Sequence, residues 1–138
     1  MVDRAAVEAR LARLDRELSM IEQLRGAGRD RFLADEGLQH QAERALQLAI
    51  QICIDVGAHL VAARGLRAPD EYRDVFERLS REDTLDPGLA ERLKDAVGQR
   101  NLLVHGYVDL DPALVWEKLA EVEDLRAFAG WALAMTRN

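Results

Sequence analysis

Val7, Leu11, Leu14, Leu18 and Ile21 recur at steps of 4, 3, 4 and 3, a one-sided apolar stripe. That period predicts an amphipathic helix from about Asp3 to Leu24. "RGAGRD" at 25–30 breaks the pattern with two glycines. A second helix is predicted to start between Asp30 and Leu38 and to run to about Ala63. Its middle is apolar nearly all round, through Leu46, Leu48, Ala49, Ile50, Ile52, Cys53, Ile54, Val56, Leu60 and Val61. A helix of that kind is buried on more than one side, with the bundle core on one face and a candidate subunit interface on another. Gln47, Gln51, Asp55 and His59 interrupt the run, which argues against a membrane span.

"ARGLRAPD" ends the second helix, and Asp70 is the candidate cap of a short third one, "EYRDVFERLS". Its stripe of Tyr72, Val75, Phe76 and Leu79 is expected to turn inward. "REDTLDPG" reads as a loop, its charged part a solvated one, with Asp86 as N-cap and Pro87 at the first position of a fourth helix. That helix covers "PGLAERLKDAVGQRNLLVH". After "GYVDLDP", Asp111 and Pro112 repeat the same start for a fifth, "ALVWEKLAEVEDLRAFAGWALAM", with its stripe on Val115, Leu119, Val122, Leu125 and Ala129. Neither repeats nor a domain-separating linker occur. The pattern predicts one all-α domain over residues 1–138, an up-and-down bundle of about five helices.

Composition agrees: 49% hydrophobic and 32% charged residues with 5% aromatics is material for packed helices rather than a sheet. The formal net charge of −6 is the wrong sign for a general nucleic-acid binder. An RNA or DNA role must therefore rest on a local site or on a patch made by assembly. Cys53 is the single cysteine, in an apolar run, and is expected to be a small buried hydrophobe. Metal-ligand spacings of Cys and His are absent, and the N-terminal residues contain no apolar signal-peptide core. Together these fit a reducing cytoplasm. His40 and His59 are expected in surface or capping roles, and Trp116 and Trp131 in packing.

The chemistry gathers in "QRNLLVHGY", residues 99–107. His105 in a last helical turn, followed by Gly106 as a left-handed terminator, is by itself an ordinary helix end. Arg100 is not ordinary. It continues the core-facing series Leu89, Leu93, Ala96 or Val97, where an apolar residue is expected. A guanidinium there costs several kcal/mol unless paired, and Asp55 in the second helix is a candidate partner. Asn101 and His105 share a helix face, whereas positions 100 and 105 point about 140° apart. The pair can act together only if the helix ends near Gly106 or a second subunit completes the pocket.

"RNLLVHGY" resembles the R-x4-H-x-Y motif of HepT-like proteins in the HEPN superfamily. "ERALQLAIQICIDVGAHLV", "EYRDVFERLS", "LAERLKDAVGQRNLLVHGY" and "DPALVWEKL" resemble that family in the same order, over roughly residues 5–135. The resemblance implies a HEPN-like helical bundle and a toxin RNase. It makes Arg100 and His105 the catalytic pair, in a homodimer whose two motifs face a shared cleft. It implies RNA cleavage without a metal, in a prokaryotic cytoplasm. It further implies that Tyr107 is AMPylated by an MntA-type nucleotidyltransferase antitoxin, so that ATP and Mg enter only through that partner.

These residue types suit the chemistry. Imidazole is a base near neutral pH for a ribose 2′-OH attacking the adjacent phosphate. The Arg fork can stabilise the charge that gathers on the phosphorane-like transition state. Asn101 can orient His105 or donate to a phosphate oxygen, and a 2′,3′-cyclic phosphate is the expected product. AMP on Tyr107 would place negative charge and bulk beside His105 and repel RNA. The competing reading is a helical adaptor that binds the nucleotidyltransferase without cutting RNA. The acidic balance favours the adaptor, and the intact Arg100/His105 pair favours the nuclease.

Overall fold

A computed structural model describes residues 2–105 and 111–137, with residues 99–105 described as helical backbone. The elements are α1 (Arg4–Gly26), α2 (Arg29–Ala34), α3 (Glu36–Ala63), α4 (Asp74–Glu82), α5 (Pro87–His105), α6 (Pro112–Lys118) and α7 (Val122–Thr136). No strand occurs among the described residues. The all-α bundle is as the periodicity predicts.

Asp3 caps α1, its carboxylate accepting from the Ala6 amide at 3.1 Å. Four of the five predicted stripe residues, Val7, Leu14, Leu18 and Ile21, are buried, Leu11 is partly buried, and Leu24 extends the face. Gly28, at φ 93°, turns the chain out of α1, a conformation that favours glycine. The next segment departs from expectation. Residues 29–34 form their own short helix rather than a lead-in, because Phe32 is buried and meets Trp116 of α6 at a ring separation of 5.4 Å. Gln39 Nε2 then donates to the carbonyls of Phe32 and Leu33, satisfying the end of α2. Asp35 caps α3 through the Leu38 amide.

α3 is the central helix, packed on α1, α2, α4, α5, α6 and α7. By length and composition it could cross a membrane, but 56% of its most apolar window is buried inside the fold. Leu48 and Ile52, on its remaining apolar face, are half-buried in the single chain. α3 runs antiparallel to α1: His59 near its end accepts from the Asp3 backbone amide at 3.1 Å. The capping role read for His59 is realised there, and His40 is exposed. Gly65, at φ 70°, terminates α3. Its amide donates to Ala62 O and that of Leu66 to Val61 O, the paired bonds of a Schellman end.

α4 corrects the reading of its start. It begins at Asp74 with Arg73 as N-cap, so Asp70 does not cap it. The amides of Asp74 and Val75 donate to Glu71 O and Tyr72 O, which ties residues 71–75 into turns ahead of the helix. Tyr72 thereby leaves the stripe and is 66% exposed, whereas Val75, Phe76 and Leu79 are buried as expected. The following loop is also less solvated than its charges suggest. Leu85 is buried, and the Asp83 side chain is 7% exposed and paired with Arg64 Nε at 2.9 Å.

Asp86 starts α5, accepting from Leu89 N at 2.9 Å, and Asp111 starts α6 through Ala113 N. The long last helix expected from the pattern is two helices joined by a 3₁₀ turn at Leu119–Glu121. No Gly or Pro marks that junction. Val115, Leu119, Val122 and Leu125 are buried on both sides of it, and Ala129 is partly buried. Phe128 completes the core, edge-on to Phe76 at 5.3 Å and tilted against Trp131 at 5.8 Å. Both tryptophans are packing residues, and Trp131 Nε1 donates to Thr84 Oγ1.

Candidate functional site

The N-terminal part of α5 is anchored by Leu89, Ala90, Leu93, Ala96 and Val97, all buried. α5 packs on α3, α4 and α7. Those contacts fix the course of α5, and Arg100, Asn101 and His105 lie on its last turns. Positions 100, 101 and 105 are all within α5, with His105 its last residue. The helix is unbroken between 100 and 105. These positions are therefore about 140° apart around the helix axis, and the backbone of one α5 does not place them on a single face. Asn101 and His105 are four apart and share a face, as expected.

The side chains of Arg100, Asn101 and His105 lie outside the described residues, as do Gly106 and Tyr107. Asp55, proposed from the sequence as a partner of Arg100, is exposed on α3 and accepts from Gln51 Nε2 at 2.9 Å.

Beside α5 opens a cleft of about 620 Å³. Residues 69–73 form one wall, and Val97 and Gly98 form the other. Tyr72 stands exposed at its edge. Arg73 Nε is held by Glu71 Oε2 at 2.7 Å, and Asp70 is a further carboxylate of this wall.

Two titratable groups near the start of α7 escaped the sequence reading. Lys118 is 6% exposed, and burial holds its ammonium below the usual lysine range, with Glu121 opposing. Burial pushes the Glu121 carboxyl up to about 7; nearby Lys118 lowers it and Asp124 raises it. A signal was available: Lys118 is three residues after Val115 and four before Val122, on the apolar stripe. The Cys53 thiol is buried and raised far above its ordinary range by desolvation, so it is a packing residue. Among the described residues, no three His, Cys, Asp or Glu converge as metal ligands.

Similarity to known proteins bears on the same region. The chain is 32% identical over 106 residues to the mRNA nuclease HepT of Shewanella oneidensis, covering 77% of this chain and 79% of that protein. It is 31% identical over 117 residues to the tRNA nuclease HepT of Aphanizomenon flos-aquae, covering 83% and 78%. Its fold superposes with a TM-score of 0.83 on the tri-AMPylated Shewanella oneidensis HEPN toxin in complex with MNT antitoxin. That match has 30% identity and covers 94% of this chain and 96% of the other. Residues 14–130 match the family described as Ribonuclease HepT-like, and the chain belongs to that family.

Proposed function

We propose that this protein is a toxin ribonuclease that cleaves RNA with Arg100 and His105 and is silenced by AMPylation at Tyr107. The observation that carries the reading is the R-x4-H-x-Y sequence, whose Arg100 and His105 fall in the last turns of α5, in a chain of the ribonuclease HepT-like family. His105 takes the proton from a ribose 2′-OH, and the freed oxygen attacks the adjacent phosphorus. The P–O5′ bond breaks, O5′ leaves with a proton taken from water, and a 2′,3′-cyclic phosphate remains. Arg100 balances the charge on the non-bridging oxygens of the transition state. Asn101 shares His105's face and orients the imidazole or donates to phosphate, with Asp55 in a supporting role. No cofactor is needed for cleavage.

The continuous α5 supports a homodimer, since Arg100 of one subunit and His105 of the other can face one cleft where a single helix separates them. The face of α3 that carries the half-buried Leu48 and Ile52 is a candidate interface for that dimer. An MntA-type nucleotidyltransferase antitoxin is the partner that uses ATP and Mg to place AMP on Tyr107. The setting is cytoplasmic, where Cys53 stays a thiol.

The test is purified chain made without the partner, incubated with cellular RNA in chelator, beside His105→Ala. Cleavage by the wild type that is lost in the variant is the expected result. Intact RNA with both would leave the adaptor reading, which the net charge of −6 favours. With partner and ATP, intact mass should rise by AMP units in the wild type and stay fixed in Tyr107→Phe.

A further inference from the structure

The geometry points to a nucleobase-binding subsite in the cleft between residues 69–73 and α5, with Tyr72 as the stacking platform for a base of the RNA substrate. This rests on the nuclease reading of the neighbouring motif. Four observations meet here. Tyr72 is 66% exposed, and the turns at 71–75 hold it outside the helix that would otherwise have buried it. A large aromatic held in the open offers a π-face to any base. The cleft it borders, about 620 Å³, is within the range that holds a ligand of nucleoside size.

The opposite wall is Gly98, where an added Cβ would meet nothing within 4 Å, so a flat ring can approach the helix backbone. Gly98 also sets the register to the motif. Position 101 is one turn on, and position 105 lies within about 20° of the same direction and roughly 10 Å further along the axis. A base held against Gly98 therefore belongs to a nucleotide close to the phosphate that His105 would serve.

Charge selects the base rather than the phosphate. Arg73 Nε is engaged by Glu71, and Asp70 adds a second carboxylate to this wall. A carboxylate repels phosphate but accepts from the exocyclic amine of adenine, cytosine or guanine. The subsite should thus prefer an amino-bearing base over uracil, and the sugar–phosphate chain should run outside the acidic wall.

The experiment uses the full chain and short single-stranded RNAs that differ at one base beside the cut. Tyr72→Ala should raise KM roughly ten- to hundredfold with kcat within about twofold. Tyr72→Trp should restore KM, since it keeps a stacking face. Gly98→Leu should raise KM by filling the cleft, and Asp70→Ala should erase the preference for amino-bearing bases. Melting temperatures should not fall for the Tyr72 and Gly98 variants, because neither position is packed in the core. Wild type that cleaves RNA while Tyr72→Ala keeps its KM within twofold overturns the subsite and leaves the nuclease reading intact. Wild type that cleaves nothing overturns the nuclease reading and the subsite with it. Unchanged KM with lost AMP transfer by the partner would assign the cleft to the adenylyl group, and would equally overturn it.

Discussion

Gly57 lies buried in the middle of α3, and its substitution by alanine sets two effects of opposite sign against each other. Alanine gains about 1 kcal/mol of helix propensity over glycine in a helix interior. The new Cβ, however, would sit 2.5 Å from Val75 Cγ1, 3.6 Å from Leu79 Cδ1 and 3.7 Å from Phe128 Cζ. Carbon atoms prefer about 3.5–4.0 Å, so the gap to Val75 must open by about 1 Å. Val75 cannot swing aside cheaply, because a β-branched side chain in a helix has one favoured rotamer. α4 must then move off α3, loosening Phe76 against Phe128. Overpacking of this kind costs about 1–3 kcal/mol, so Gly57→Ala should be destabilising by about 1 kcal/mol net. Gly130→Ala on α7, where the added Cβ meets nothing within 4 Å, keeps only the favourable effect. The two variants should differ by about 2 kcal/mol, or several degrees in Tm for a chain of this size. Urea and thermal unfolding followed by far-UV circular dichroism would measure both. Repeating Gly57→Ala on a Val75→Ala background should turn it neutral or stabilising, a coupling of about 1–3 kcal/mol. If Gly57→Ala is as stable as Gly130→Ala in the wild-type background, steric contact between α3 and α4 does not set their separation.

Further outcomes follow from other buried groups. Phe128→Ala removes a fully buried ring that touches Phe76 and Trp131, and should cost about 3–5 kcal/mol by urea denaturation. Glu121 has a folded-state pKa raised to about 7, so the native state holds its proton more tightly than the unfolded chain. Its ionisation cost is absent below the ordinary carboxylate range, grows as pH rises to about 7, and is constant above; Glu121→Gln should flatten that fall and stabilise by roughly 1–3 kcal/mol at pH 8. Equal stability of the two proteins at pH 8 would show that Glu121 is not desolvated. Arg64→Ala strips the partner from the mostly buried Asp83 and should cost about 1–3 kcal/mol, with Arg64→Ala/Asp83→Asn recovering part of it. Cys53, buried with its thiol held protonated, should resist alkylation in the native state and react only at the unfolding rate; rapid labelling would contradict the packing.

The helices whose stripes run at 3.6 spacing with a capping residue ahead of them were legible from the sequence. Asp3, Asp86 and Asp111 all cap where polar residues precede an apolar series. What was not legible depended on distant partners. Tyr72 fits the α4 stripe by spacing, yet the turns at 71–75 place it outside the helix. The loop at 83–86 hides Asp83 because Arg64, 19 residues earlier, reaches it across the end of α3. The 3₁₀ turn at Leu119–Glu121 has no local marker and keeps Val115 and Val122 on one buried surface. The motif was legible as a set of residues, since Arg100 interrupts an apolar series. The cleft beside it was not, because its walls come from segments that only the tertiary fold brings together.

The course of α5 joins the two halves of the functional reading. Had the helix ended before His105, a local bend could have turned positions 100 and 105 toward one phosphate. It stays helical from position 100 to His105, its last residue, so these positions are about 140° apart around the axis, and what the chain does at Gly106 lies outside the described residues. Residues on one helix so far apart serve one substrate when a second α5 faces the first and each contributes a different member of the pair. That arrangement also answers the charge problem. A chain of net charge −6 attracts RNA poorly as a whole, but in the proposed dimer two Arg100 side chains would bring positive charge to the shared cleft. Affinity must then come from contacts near the scissile phosphate, and an aromatic platform such as Tyr72 is a contact that works without net positive charge. Under the proposed function, an AMP group on Tyr107, two residues from His105 in sequence, would add phosphate charge to a site that the net charge of −6 already disfavours for RNA.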